Sequence, residues 1–217
     1  MMRLGVLASG SGSNLQAILD ACAHRSIPAQ VAVVISNVAG ARALSRAEEA
    51  GVPALLLPHG AHPSRDAYDT EMVSLLRSHR VDLVCLAGFM RLLTPVLLSA
   101  FQNRILNIHP SLLPAWPGMH AVRHALKGGA RVSGCTVHIV DEGTDTGPIV
   151  IQAAVPVLDG DTEESLAARI LAQEHRIYPR AIALFAQGRV EIDGRRVRIK
   201  GAAADAARTF SSPELND

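Results

Sequence analysis

Arg3-Leu4-Gly5-Val6-Leu7-Ala8-Ser9-Gly10-Ser11-Gly12-Ser13-Asn14-Leu15 is the stretch whose reading decides the fold. Arg3–Ala8 is a short apolar run, as expected of a strand buried on both faces. After the glycines, Leu15, Ile18, Leu19 and Cys22 recur at helical spacing, so a helix is expected from Ser13 to about His24. Strand, glycine turn and helix open a parallel α/β unit. Bare amides at the start of a helix attract an anion, and Ser13 and Asn14 add side-chain donors. A dinucleotide turn wants a third glycine where Leu15 stands, and an acid where the next strand ends in Ser36-Asn37. No Gly-Lys-Ser/Thr follows, which excludes a P-loop. Tight turns need glycine even without a ligand. In this strand-to-helix context the preferred reading is a monophosphate site.

Outward from this unit the alternation continues. Val31–Ser36 reads as a strand, Arg42–Ala50 as a helix closed by Gly51, and Ala54–Leu57 as a strand. Ser64 caps a helix to about Ser78, and Asp82–Ala87 is a buried strand. The second half is less regular. A strand at Arg104–His109 leads into a Pro-rich loop to Gly118, then a helix over about Met119–Lys127. Strands Val132–Val140 and Pro148–Pro156 flank a loop rich in Asp, Gly and Thr. Asp161-Thr162-Glu163-Glu164-Ser165 opens a long helix to about Ala186, and Arg189–Lys200 reads as a hairpin turning at Asp193-Gly194. The expected fold is α/β, a doubly wound, mostly parallel sheet.

Composition narrows the function. The 217 residues are 48% hydrophobic and 19% charged, enough for a full core. A net charge of +1 gives no general attraction to nucleic acid or anionic membrane, so any phosphate site must be local. The N-terminus does not read as a signal peptide, and no apolar run reaches the roughly 18 residues of a membrane span. Cys22, Cys85 and Cys135 are odd in number and set among apolar neighbours, as expected of free thiols in a reducing cytoplasm. His120 and His124 stand four apart without an obvious third ligand, so no metal is expected.

The chemistry concentrates in Asn107-Ile108-His109-Pro110-Ser111 and in Asp145. Asn107 and His109 are two apart in a strand and leave the same face. An amide and an imidazole can hold a developing oxyanion, and a returning carboxylate can orient or charge the imidazole. Pro110 ends the strand where open sheets carry their ligands. The competing reading is a strand end that satisfies local hydrogen bonds.

Several segments together resemble the phosphoribosylglycinamide formyltransferase family, folate-dependent enzymes of purine synthesis. They are Gly12-Ser13-Asn14-Leu15-Gln16-Ala17-Ile18, Leu86-Ala87-Gly88-Phe89-Met90-Arg91 and Asn107 through Pro114. Val137 through Pro148 and Gln173-Glu174-His175 continue the match, in order and spacing, over about residues 3–190. The resemblance implies a formyltransferase fold with a Rossmann-like first half, and Asn107, His109 and Asp145 as the catalytic trio. It implies phosphate contacts at Gly12, Ser13 and Asn14, and Glu174 at the glycinamide end. Arg65, Met90, Arg91, Leu92 and Leu93 would contact 10-formyltetrahydrofolate, a co-substrate. The loop from Val140 and Asp141 to Asp145 would wrap the pterin with backbone groups. The family carries polar residues where Val122 and Leu171 stand, and Leu171 offers no secondary phosphate contact. Residues 1–201 would form one domain, with 1–100 the phosphate-binding half and 101–201 the folate-binding and catalytic half; 202–217 would be a flexible tail.

Read without the resemblance, Met90, Leu92 and Leu93 are plain core, Arg65 a solvated charge, and Glu174-His175 a capped helix face. His138 reads as a hydrogen-bonded structural histidine. Arg195, Arg196, Arg198 and Lys200 read as a solvated strand face. Trp116 either shapes the folate entrance or anchors the Pro-rich loop. Relatives that use water or initiator tRNA as acceptor usually carry an extra domain, and after Gly188 only the hairpin and tail are expected here. The expected partners are therefore two small molecules, acting on a cytoplasmic monomer or homodimer. A phosphate-binding module without catalysis is the alternative from another class, and the trio argues against it.

Overall fold

Five strands run parallel: β1 (Met2–Ala8), β2 (Ala29–Ser36), β3 (Ala54–Leu56), β4 (Leu83–Leu86) and β5 (Ile105–His109). β6 (Val132–Ile139) and β7 (Ile149–Pro156) add antiparallel. This is a computed structural model, and it describes residues 1–202 and 210–212. The sheet order is β3-β2-β1-β4-β5-β6-β7. The order reverses between β1 and β4, and ligands of open α/β sheets bind at the carboxyl ends of strands beside such a switch point. The tail expected at 202–217 lies, for 203–209 and 213–217, outside the described residues.

Both faces of the sheet are covered, as the near-continuous apolar strands require. Leu4, Val6 and Ala8 of β1 point to one face, packed by α1 (Ser13–Ala23), α2 (Arg42–Glu49), α5 (Ala121–Lys127) and α6 (Glu163–Ala186). Leu7 points to the other, with α3 (Arg65–Ser78) and α4 (Pro95–Ala100). The helix starts follow their caps. Ser64 Oγ accepts from the Ala67 N–H at 3.1 Å, and Thr162 and Ser165 close a reciprocal capping box. The three cysteines are free thiols, two of them buried.

Two readings of the sequence need correction. α4 is absent from the expected elements, because six residues are too short to show a period. Its signals were Thr94 at the cap and Pro95 in the first turn. In the hairpin of β8 (Val190–Asp193) and β9 (Arg196–Ile199), Asp193 pairs with Arg196, so the loop is Gly194-Arg195 rather than Asp193-Gly194.

α6 also ties the sheet together. The buried Tyr178 hydroxyl lies 3.0 Å from the Leu86 carbonyl of β4 and 3.1 Å from the Leu106 carbonyl of β5. Tyr178→Phe is expected to lower stability by about 1–2 kcal/mol in urea unfolding, since buried carbonyls lose their donor. Unchanged stability would show that the hydroxyl contributes nothing.

Candidate active site

The C-terminal ends of β1, β4 and β5 lie side by side along one edge of the sheet. The glycine turn follows β1, the Gly88–Leu93 stretch follows β4, and the Pro-rich loop follows β5. Ser9 joins the first two: its Oγ donates to Asn37 Oδ1 at 2.6 Å and accepts from the Met90 N–H at 2.9 Å.

Asn107 and His109 leave β5 on one face, and Asp145 reaches them from the loop between β6 and β7. The Asp145 carboxylate is the hub. Its Oδ2 lies 3.2 Å from His109 Nδ1 and accepts the Gly118 N–H at 2.8 Å. Its Oδ1 accepts from Asn107 Nδ2 at 3.4 Å and lies 3.5 Å from His138 Nε2. Burial pushes the carboxyl up. The hydrogen bonds from His138 and Gly118, with the charges of His109 and His138, outweigh it and hold the carboxyl down at about 2.

The second nitrogen of His109, Nε2, lies 2.9 Å from the Trp116 carbonyl. Both ring nitrogens thus face oxygens that can only accept, an arrangement that the imidazolium alone satisfies fully. His138 Nδ1 faces the Ile139 carbonyl at 3.0 Å and therefore donates. Its Nε2 lies 3.1 Å from Asn107 Nδ2. Neutral, that nitrogen accepts from Asn107; protonated, it can donate to Asp145.

His138 is hydrogen-bonded, as expected, and it stands within the Asp145 cluster. Register explains it. In the antiparallel β5–β6 pair, Asn107 stands opposite His138 and His109 opposite Thr136, so all four side chains share one face. Thr136 Oγ1 donates to the Ser111 carbonyl at 2.7 Å and accepts from the Leu113 N–H at 3.1 Å, fixing the start of the Pro-rich loop. The polar alternation Thr136, His138 was the available signal; its partner strand was not. For Trp116 the structure gives an anchoring part, its carbonyl on His109 and its indole beside Gly128.

The loop that carries Asp145 is folded around Asp141, whose Oδ1 accepts the Gly143 N–H at 3.2 Å and the Thr146 hydroxyl at 2.6 Å. Asp145 sits at φ +54, a left-handed conformation that Asp tolerates better than most residues. Gly147 lets the chain close back on β6, since a Cβ there would fall 1.7 Å from the Ile139 carbonyl. The Val140 N–H is spent on the Ile105 carbonyl. Arg195, at the hairpin tip, donates to the Thr146 carbonyl at 2.7 Å, so this residue is not a merely solvated charge.

The residues expected to hold phosphate stand at the first turn of α1, with Gly12 at φ +70. Asn14 differs from expectation: its Nδ2 donates to Glu174 Oε2 at 2.7 Å instead of standing free. Glu174 is 7% exposed, and burial raises its carboxyl above the usual range despite the Asn14 hydrogen bond. On the expected folate side, Arg65 donates to the Leu92 carbonyl at 2.9 Å, and Arg91 stacks over the Tyr68 ring at 4.8 Å. Met90 and Leu92 are 66% and 62% exposed, so they are not core. Leu93 does pack on the core, as does Val140.

A glycine turn at the start of α1 lies beside a carboxylate–imidazole–amide cluster at the strand ends. Residues 2–182 match the formyl transferase family, and the chain belongs to that family. It is 46% identical over 211 residues to phosphoribosylglycinamide formyltransferase of Escherichia coli (strain K12), covering 94% of this chain and 100% of that protein. It is 50% identical over 188 residues to the trifunctional purine biosynthetic protein adenosine-3 of Drosophila pseudoobscura pseudoobscura, with 86% of this chain covered. The chain spans only 14% of the length of that relative. The crystal structure of glycinamide ribonucleotide transformylase 1 from Symbiobacterium toebii superposes with a TM-score of 0.91 at 62% identity. That match covers 92% of this chain and 94% of the other.

Proposed function

We propose that this chain transfers the formyl group of 10-formyltetrahydrofolate to the amine of glycinamide ribonucleotide. The observation that carries the reading is the Asp145 carboxylate, held between His109, Asn107 and His138 at the strand ends beside the glycine turn. The amine attacks the formyl carbon directly and gives a tetrahedral oxyanion. The His109 imidazolium and an Asn107 N–H stabilise that charge. Of the two Asn107 contacts, the 3.4 Å one to Asp145 is the longer, and its hydrogen is the one given to the oxyanion. A carboxyl held at about 2 does not keep a proton near neutrality, so Asp145 relays the proton of the attacking amine through water to the leaving folate nitrogen, whose bond to the formyl carbon breaks as the oxyanion collapses to the formamide. It is not the final base.

The ribonucleotide phosphate would lie on Gly12, Ser13 and Asn14, with Glu174 at the glycinamide end. The folate would lie on Arg65, Met90–Leu93 and the loop from Val140 to Asp145, so both halves of a single domain of residues 1–201 contribute. The three free thiols fit a reducing cytoplasm, and no described helix is long and apolar enough to cross a membrane. Every residue in this reading comes from one chain, so a monomer and a homodimer would carry the same site.

The test is turnover of formyl-folate with purified protein, with and without glycinamide ribonucleotide. Turnover that needs the ribonucleotide supports the reading; equal turnover without it makes the protein a hydrolase. Asn14→Ala is expected to raise the Michaelis constant for the ribonucleotide about tenfold and leave that for the folate nearly unchanged, because in this reading both Asn14 and its partner Glu174 contact the ribonucleotide and not the folate. The reverse pattern would show the two pockets to be assigned backwards.

A further inference from the structure

α2 braces the glycine turn from behind. The Ala43 N–H donates to the Gly10 carbonyl at 3.1 Å. A Cβ on Gly12 would come within 2.8 Å of the Ala43 Cα. One turn further along, the half-buried Arg46 donates from Nε to the Ser11 carbonyl at 2.9 Å and from Nη1 to Gln16 Oε1 at 2.9 Å. Among the described residues its guanidinium has no carboxylate partner.

We propose that Arg46 is a positioning residue of a phosphate-monoester site. It sets the Ser11–Gly12 peptide so that the Gly12 N–H faces the anion, and its unneutralised charge strengthens binding there. The inference rests on the phosphate reading of the glycine turn given above. In a trans peptide the carbonyl and the N–H point in opposite directions. Anchoring the Ser11 carbonyl on Arg46 therefore turns the Gly12 N–H to the other side of the turn. There, among the described residues, it meets no acceptor. A cation on the carbonyl also polarises the peptide and makes its N–H a better donor. The second arm, on Gln16, locks the guanidinium plane to α1. Lysine would keep the charge but lose the fork that spans both acceptors.

The test uses the full chain and ribose 5-phosphate as probe. Binding is measured by calorimetry for the wild type, Arg46→Met and Arg46→Lys, with the Gly12 amide followed by NMR. Arg46→Met is expected to weaken binding about tenfold and Arg46→Lys less, as for loss of a charge-assisted hydrogen bond. The Gly12 amide signal should shift on binding in the wild type and much less in Arg46→Met. In turnover, Arg46→Met should raise the Michaelis constant for the ribonucleotide by a similar factor and change kcat by less than about twofold. Equal binding by the wild type and a folded Arg46→Met, or a pure kcat defect, overturns the proposal. No binding to the wild type removes the phosphate site and Arg46 with it. Binding that depends on Arg46 without turnover keeps Arg46 and overturns the transfer reading instead.

Discussion

Asp145→Asn is expected to lower kcat about 10³-fold or more while the protein stays folded, the scale seen when an acid that orients a catalytic histidine becomes an amide. Asparagine tolerates the left-handed φ of +54 as aspartate does, so the loop keeps its path. What changes is the hub. The carboxylate takes donors from Gly118 and Asn107 and faces the ring nitrogens of His109 and His138. An amide oxygen can serve only one side of this hub, and the NH₂ then presents its hydrogens to at least one N–H donor on the other. A second readout is independent of turnover. A carboxyl held at about 2, below the roughly 3.9 of an unfolded chain, contributes stability that is present above the unfolded value and lost as pH falls through the folded one. The Asn variant should therefore be about 2 kcal/mol less stable at pH 7, a deficit that shrinks as pH falls from about 4 toward 2. Urea unfolding at pH 7 and pH 3 measures it. Near wild-type turnover would remove Asp145 from the mechanism, and a constant stability gap would deny its electrostatic part.

His109→Ala is expected to reduce kcat about 10²–10³-fold with modest changes in both Michaelis constants, the scale of losing one electrostatic contribution to the oxyanion, here the charge of the ring. The ring is buried, and its two nitrogens are the donors for Asp145 Oδ2 and the Trp116 carbonyl. Removing it leaves both oxygens short of a hydrogen and the tetrahedral oxyanion without its cation. The vacated space is ring-shaped, so added imidazole should restore part of the rate. Turnover within about tenfold of wild type would mean that Asn107 holds the oxyanion without His109. A loss seen only in a Michaelis constant would make His109 a binding residue.

Much of this was legible along the chain because it is local. Ser64 and Thr162 announced their helices by cap chemistry that spans four residues, and Asn107 and His109 share a face because strands alternate with period two. α4 failed for the same reason in reverse: six residues carry too little period to read. The exposure of Met90 and Leu92 was also out of reach. Apolar residues at a strand end look like core until the neighbouring elements are placed.

By itself the sequence determined the doubly wound α/β sheet, the strand–glycine turn–helix unit at Gly12–Asn14, and an amide and an imidazole on one face of a strand end. Each follows from spacing within a dozen or so residues, or from residue types whose chemistry is fixed. The tertiary structure alone decided which groups meet across long separations. The β5–β6 register brought His138 to Asn107, the folded loop set Asp145 against Gly118 and His109, and α6 spent the Asn14 amide on Glu174. Such pairings depend on the angle and register at which elements pack, which no local period encodes. The lowered pKa of Asp145 likewise arises only once burial and its donors act on one carboxylate together.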